Sequence, residues 1–249
     1  MLKVLITSAV MSVSILAGEI SVAVAANLSD VIEVFKTEFA KTNPNTKVNT
    51  ILGASGKFTT QIKSGAPFDL FLSADMGFPE NLYAEKIAVT KPVVYASGAL
   101  AMVSVKGLDL SKGIAVLNDP KVEKVAIANP KTAPYGTASI EAFKNAQLFE
   151  KVEPKLVQGD SISQALQFSI TAADVGFVHA SAFYSDKMKA YKKGVQWVDV
   201  DPKLYTPIAQ GIVLLKQAES NAEAKAFYDF ILSAKAKAIF KNYGYLVNE

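Results

Sequence analysis

Between Glu19 and His179 the chain keeps changing its period. Apolar, β-rich runs give way to stretches whose apolar residues recur every three or four positions, and then return. "EISVAVAA" leads through Asn27 into "LSDVIEVFKTEFAK", where Leu28, Val31, Ile32, Phe35 and Phe39 form one helical stripe. "TNPNT" breaks the chain, "KVNTILG" reads as a second strand, a short helix begins near Gly56, and "FDLFLSAD" is a third, apolar strand. A β-α-β-α-β order of this kind predicts an open, mostly parallel sheet with helices on its faces.

After "TKPVVYASGALAMVSVKG" the pattern restarts. It runs through strand "KVAIANP", a helix from about Gly136 to Ala146, strand "PKLVQ", a helix from about Ser161, and strand "VGFVHA". "VVYASGALAMVSV" exceeds a normal strand and is expected to cross between two lobes, with "TPIAQGIVLLK" making the return. The expected architecture is therefore α/β, with two lobes and a cleft between them. Residues 19–98 and 207–249 make the first lobe and 99–206 the second. The closing "NAEAKAFYDFILSAKAKAIFKNYGYLV" reads as one or two helices packed on the first lobe, its aromatic residues serving as core.

The opening "MLKVLITSAVMSVSILAGE" has one lysine, an apolar run from Val4 to Ala17, and small residues before the first acid. It reads as a signal peptide over 1–18, cleaved near Ala17 or Gly18. Cleavage leaves 231 residues (249 − 18) for the two lobes. The sequence has no cysteine, which excludes disulfides, thiolate chemistry and a lipidated N-terminal cysteine. A periplasmic protein without a lipid anchor is the expectation.

All 26 basic residues are lysine, scattered among acids in a chain of net charge +3, so no basic stripe points to nucleic acid. The missing arginine also removes the planar fork that clamps carboxylates, which disfavours amino-acid ligands. One histidine and no cysteine leave no ligand spacing for a metal site.

"GASGKFT" looks like a phosphate loop with parts missing. Ile51 stands where the first glycine belongs, and Phe58 where serine or threonine should follow the lysine. It is instead one of four strand-to-helix junctions, with "VAANLSD" at Asn27, "APYGTAS" at Tyr135 and "QGDSIS" at Ser161. A helix start leaves backbone N–H groups unpaired and favours negative charge. Taken singly, each junction is explained as an ordinary helix cap. Taken together at the strand ends of an open sheet, they suit a compact oxyanion.

Here the chain resembles the periplasmic molybdate-binding proteins of ABC importers, within the type II periplasmic binding protein superfamily. "AANLSD", "GASGKFTTQIKSGAPFDLFLSAD", "NPKTAPYGTASIEAF", "GDSISQALQ" and "FYDFILSAKAKAIFKNYGY" carry the resemblance across the mature chain. It implies a monomeric, non-enzymatic receptor without a cofactor that hands molybdate or tungstate to a membrane permease. By position, Asn27 matches the first anion contact and Ser55 the serine of the second junction. Tyr135 and Ile162 match positions that offer backbone N–H groups. His179 stands where some members carry an anion-reaching tyrosine. Three roles are open to it: a ring N–H donor, a cleft wall without contact, or plain packing. Lys57 is expected to be a surface charge.

Two rival readings remain. One is a receptor for another oxyanion such as sulfate. The other is a GDS-type serine esterase using "GDSIS", although the Asp-x-x-His block such enzymes need is absent.

Overall fold

The computed structural model describes residues 18–247, and of the expected signal segment only Gly18 falls among them. The strands are β1 (Gly18–Ala25), β2 (Thr46–Gly53), β3 (Leu70–Leu72), β4 (Val93–Gly98), β5 (Leu100–Val103), β6 (Val125–Ala128), β7 (Leu156–Gly159), β8 (Val175–His179), β9 (Trp197–Asp199) and β10 (Ile208–Leu214). They form two five-stranded sheets, ordered β2-β1-β3-β10-β4 and β7-β6-β8-β5-β9. Each sheet has three parallel strands, β2-β1-β3 or β7-β6-β8, followed by two antiparallel pairings. The parallel strands are joined by helical crossovers, as parallel pairing demands. The antiparallel pairings involve β10 and β5, the strands that follow the two crossings between the sheets.

The helices are α1 (Ile32–Ala40), α2 (Ser55–Lys63), α3 (Gly77–Ala84), α4 (Pro134–Asn145), α5 (Phe149–Val152), α6 (Ile162–Thr171), α7 (Ala222–Ile231) and α8 (Ala234–Asn242). Sequence periodicity shows α1, α2, α4, α6 and the closing pair, but α3 and the short α5 go unread. The long apolar run divides at Ala99 into β4 and β5, which belong to different sheets. The return crossing occupies residues 200–207.

Phe35 meets Phe240 edge-on at 4.6 Å, and Phe39 meets Phe227 at 5.0 Å, so α7 and α8 seal one face of the first sheet against α1. In the second lobe Phe143 of α4 packs edge-to-face on Phe177 of β8 at 4.7 Å. Buried aromatics each remove about 150–250 Å² from water, which makes these pairs the anchors of the two cores.

The stripe that predicts a helix from Leu28 onward is only partly realised. Ala26–Leu28 form a 3-10 turn, and the α-helix begins at Ile32. The turn's carbonyls are already taken. Ala26 C=O accepts from Ser163 Oγ at 3.0 Å, and Asn27 C=O accepts from Tyr245 Oη at 2.8 Å. Long-range donors hold the turn out of the helix that local spacing favours.

Candidate anion-binding site

The helices α2, α4 and α6 start just beyond the C-terminal ends of β2, β6 and β7, where an open α/β sheet places its ligand. Proline is the first residue of α4, a position where its missing N–H costs nothing. Ser161 caps α6, its Oγ accepting from Gln164 N at 3.3 Å. Ser55 is not a cap. It is the first residue of α2, after Ala54, and its Oγ accepts from Ala74 N at 2.9 Å, which leaves its hydroxyl proton free to donate.

These starts surround one small cavity, lined by residues 25–27 and 53–55 and by Ala74, Ala133, Pro134, Tyr135 and Ile162. Its open volume is about 10 Å³, of the order of one water molecule. Pockets for drug-sized ligands run to about 300–1,000 Å³, so neither a nucleotide nor a sugar fits. Five of the eleven lining residues are alanines, which let backbone approach closely. Among the described residues no charged side chain lines the cavity.

The backbone N–H groups of Asn27, Ser55, Tyr135 and Ile162 have no protein acceptor among the described residues. All four residues are buried, so the lobes are closed over the cavity. Bonds cross the cleft beside it. Gly56 N donates to Thr132 O at 2.8 Å, Ser163 Oγ reaches Ala26 O, and Lys57 pairs with Asp160 at 2.9 Å on the exposed rim. Lys57 is thus the surface charge that the sequence suggests, and a rim pair of this kind contributes at most about 1 kcal/mol.

His179 ends β8 and is 1 % exposed, but it is not among the cavity's lining residues. Its Nδ1 lies 2.9 Å from Ser181 Oγ. Ser181 donates its proton to Tyr245 Oη at 2.9 Å, and Tyr245 donates to Asn27 O. Ser181 must therefore accept from His179, which makes the ring an Nδ1–H tautomer whose Nε2 has no partner among the described residues. Burial lowers the pKa of His179 to about 4, so the ring is neutral at pH 7. Of the three roles open to it, the geometry favours packing at the end of a hydrogen-bond chain that leads to Asn27.

Sequence reasoning misses the rest of that network. Gln210, Tyr95, Tyr245 and Ser181 are all buried and all bonded to one another or to Asn27 and Tyr135. Burial pushes the Tyr95, Tyr135 and Tyr245 hydroxyls well above their usual pKa, so they remain donors. The esterase arrangement is absent, since Ser161 Oγ caps a helix and His179 turns Nδ1 to Ser181 instead.

The family model for bacterial extracellular solute-binding proteins matches residues 20–246. The chain belongs to that family. Among bacterial extracellular solute-binding proteins, it is 41 % identical to the molybdate-binding protein ModA of Rhodobacter capsulatus over 92 % of this chain and 89 % of that one. It is 39 % identical to the ModA of Azotobacter vinelandii, over 92 % and 90 % of the two chains. The solved periplasmic molybdate-binding protein of Azotobacter vinelandii superposes with a TM-score of 0.85 at 31 % identity, covering 92 % of this chain and all of the other. Solute-binding proteins of this kind are receptors, not enzymes. Among the described residues no helix is long and apolar enough to cross a membrane.

Proposed function

We propose that the protein is a periplasmic receptor that captures molybdate, and also tungstate, and delivers it to the permease of an ABC importer. The observation that carries this reading is the convergence of free backbone donors from both lobes on one small, uncharged cavity. Relatives named as molybdate-binding along nine-tenths of both chains support the choice of ion. In this reading residues 1–18 are a signal peptide cleaved near Ala17 or Gly18, and the mature receptor is a monomer. Its lobes, 19–98 with 207–249 and 99–206, close by rotation about the crossings.

Asn27 and Ser55 contact the anion from the first lobe, and the Tyr135 and Ile162 amides from the second. Burying a dianion without a countercharge is costly unless its oxygens are satisfied by donors. A cavity that offers only donors penalises any ion whose own proton finds no acceptor, which sets molybdate apart from hydrogen phosphate. Sulfate has the right charge but shorter bonds, so fit to the cavity must reject it.

Titration calorimetry of protein prepared without metallates, against molybdate, tungstate, sulfate and phosphate, tests this directly. Tight one-to-one binding of the first two with little heat from the others is expected. A preference for sulfate would change the ion, and silence toward all four would remove the receptor reading. In the same assay Ser55→Ala should weaken molybdate binding by about 1–3 kcal/mol, the range for a buried group left unpaired. If Ser55→Ala and Asn27→Ala both bind as tightly as the parent, the assigned cavity is the wrong one.

A further inference from the structure

Gln210 is fully buried at the point where the β10–β4 register shifts, and such bulges commonly re-aim a side chain. It does not line the cavity, yet its carboxamide sits among Tyr95 and two residues that do, Asn27 and Tyr135. Asn27 Nδ2 donates to Gln210 Oε1 at 2.8 Å and to Tyr245 Oη at 3.0 Å. Both amide protons of Asn27 are spent there, and its buried Oδ1 has no partner among the described residues. Asn27 lines the cavity, and a carbonyl oxygen turned into it would repel a fully deprotonated oxyanion.

The proton count shows strain elsewhere too. Tyr95 has one hydroxyl proton for two acceptors, Ser73 O at 2.8 Å and Gln210 Oε1 at 2.9 Å. The two ends of a carboxamide are nearly the same size, so a half-turn exchanges donor for acceptor without moving heavy atoms. If Gln210 and Asn27 turn together, Gln210 Nε2 donates to Tyr95 and to Asn27 Oδ1. The Tyr95 proton goes to Ser73 alone, and Tyr135 Oη, 3.4 Å from the Gln210 carboxamide, becomes the donor. Asn27 Nδ2 then takes the position of the unpartnered oxygen. The cost falls at Tyr245, whose single proton meets both Asn27 oxygens.

We propose that Gln210 is the specificity-setting residue of the anion site: by donating to Asn27 it turns the Asn27 Nδ2–H2 toward the ion and so selects an oxyanion that carries no proton. This rests on the receptor reading above. Gln210 acts through Asn27 and does not touch the ligand, so it is a positioning residue.

The test replaces Gln210 with leucine and compares molybdate with phosphate by calorimetry at pH 8. Both ions are then mainly dianions, so effects of charge, closure or stability move the two affinities together. Sorting of Asn27 moves their ratio. The expected result is a fall of at least about ten-fold in the molybdate-to-phosphate preference. In an Asn27→Ala background the same change should alter that ratio less than about two-fold. Equal weakening of both ions by Gln210→Leu overturns the proposal. Gln210→Met, unbranched and nearly as long, serves if the leucine variant does not fold.

Side-chain amide NMR without any ligand separates this proposal from the receptor reading. Gln210→Leu must shift the Asn27 Nδ2–H2 resonance, and an unmoved signal overturns the coupling even if molybdate binds. A parent silent toward molybdate, with the resonance shifted, overturns the ion and the selectivity but leaves the coupling standing.

Discussion

Gly56→Val should leave the protein folded while cutting its affinity for molybdate by roughly 5- to 150-fold. Gly56 lies in the first turn of α2, and its amide donates across the cleft to Thr132 O at 2.8 Å. A Cβ at this position would lie 3.0 Å from Thr132 Cα and 3.1 Å from Thr132 O, both backbone atoms of the opposite lobe. It would also lie 2.9 Å from the tip of the Phe78 ring, which can swing aside. The Thr132 backbone can retreat only if the lobes part. Overpacking of this kind costs about 1–3 kcal/mol, and each 1.4 kcal/mol is about ten-fold in binding. The strain exists only in the closed form, so thermal stability without ligand should hold while calorimetry shows the loss. An unchanged affinity would mean that this contact does not accompany binding.

The second large effect is on pH. His179 should make the protein less stable by about 3 kcal/mol as pH falls from 6.5 toward 4. Its ring is 1 % exposed, and burial holds its pKa at about 4, against 6.5 for the exposed side chain. Within that window the unfolded chain binds the proton and the folded chain does not, so stability drops with pH. Above the window the contribution is complete. The neighbours around the ring agree. Ser181 holds Nδ1, the Tyr135 ring lies edge-on at 6.0 Å, and only Asp30 acts to favour the charged form. Denaturant melts at pH 7.5 and 4.5 on the parent and on His179→Gln check this. Carboxylates titrate alike in both proteins, so the difference between their pH slopes isolates the histidine. Equal slopes would show that His179 is not the source.

Much of this molecule can be read from its sequence, for reasons that can be named. The starts of α2, α4 and α6 are local events, marked by small residues, Pro134 and the Ser161 cap, and they fall within one or two residues of the positions that periodicity gives. Ser55 and Tyr135 stand at junctions that the sequence marks, whereas Ile162 enters only through the family resemblance. The helical stripe starts too early, at Leu28, because the bonds that shape the turn before α1 come from Ser163 and Tyr245, 137 and 218 residues from the carbonyls they hold. Gln210 left no trace in its own strand, where it reads as one polar residue in an apolar run. Only the packing of β10 beside β4 and of both lobes around Asn27 gives it partners. A polar residue inside an otherwise buried strand was the available signal.

The connectivity of the sheets has a consequence for how the chain is made. β10 fills the slot between β3 and β4, so Ile212 lies opposite Leu72, a partner synthesised 140 residues earlier (212 − 72). Until residue 208 emerges, the first sheet has an open gap, and the aromatic face of α1 waits still longer for α7 and α8. The second sheet draws all its strands from the continuous stretch 100–199 and can close as soon as that stretch is complete. The part of the molecule made first is thus the last to assemble, since its closing contacts are the most distant in sequence.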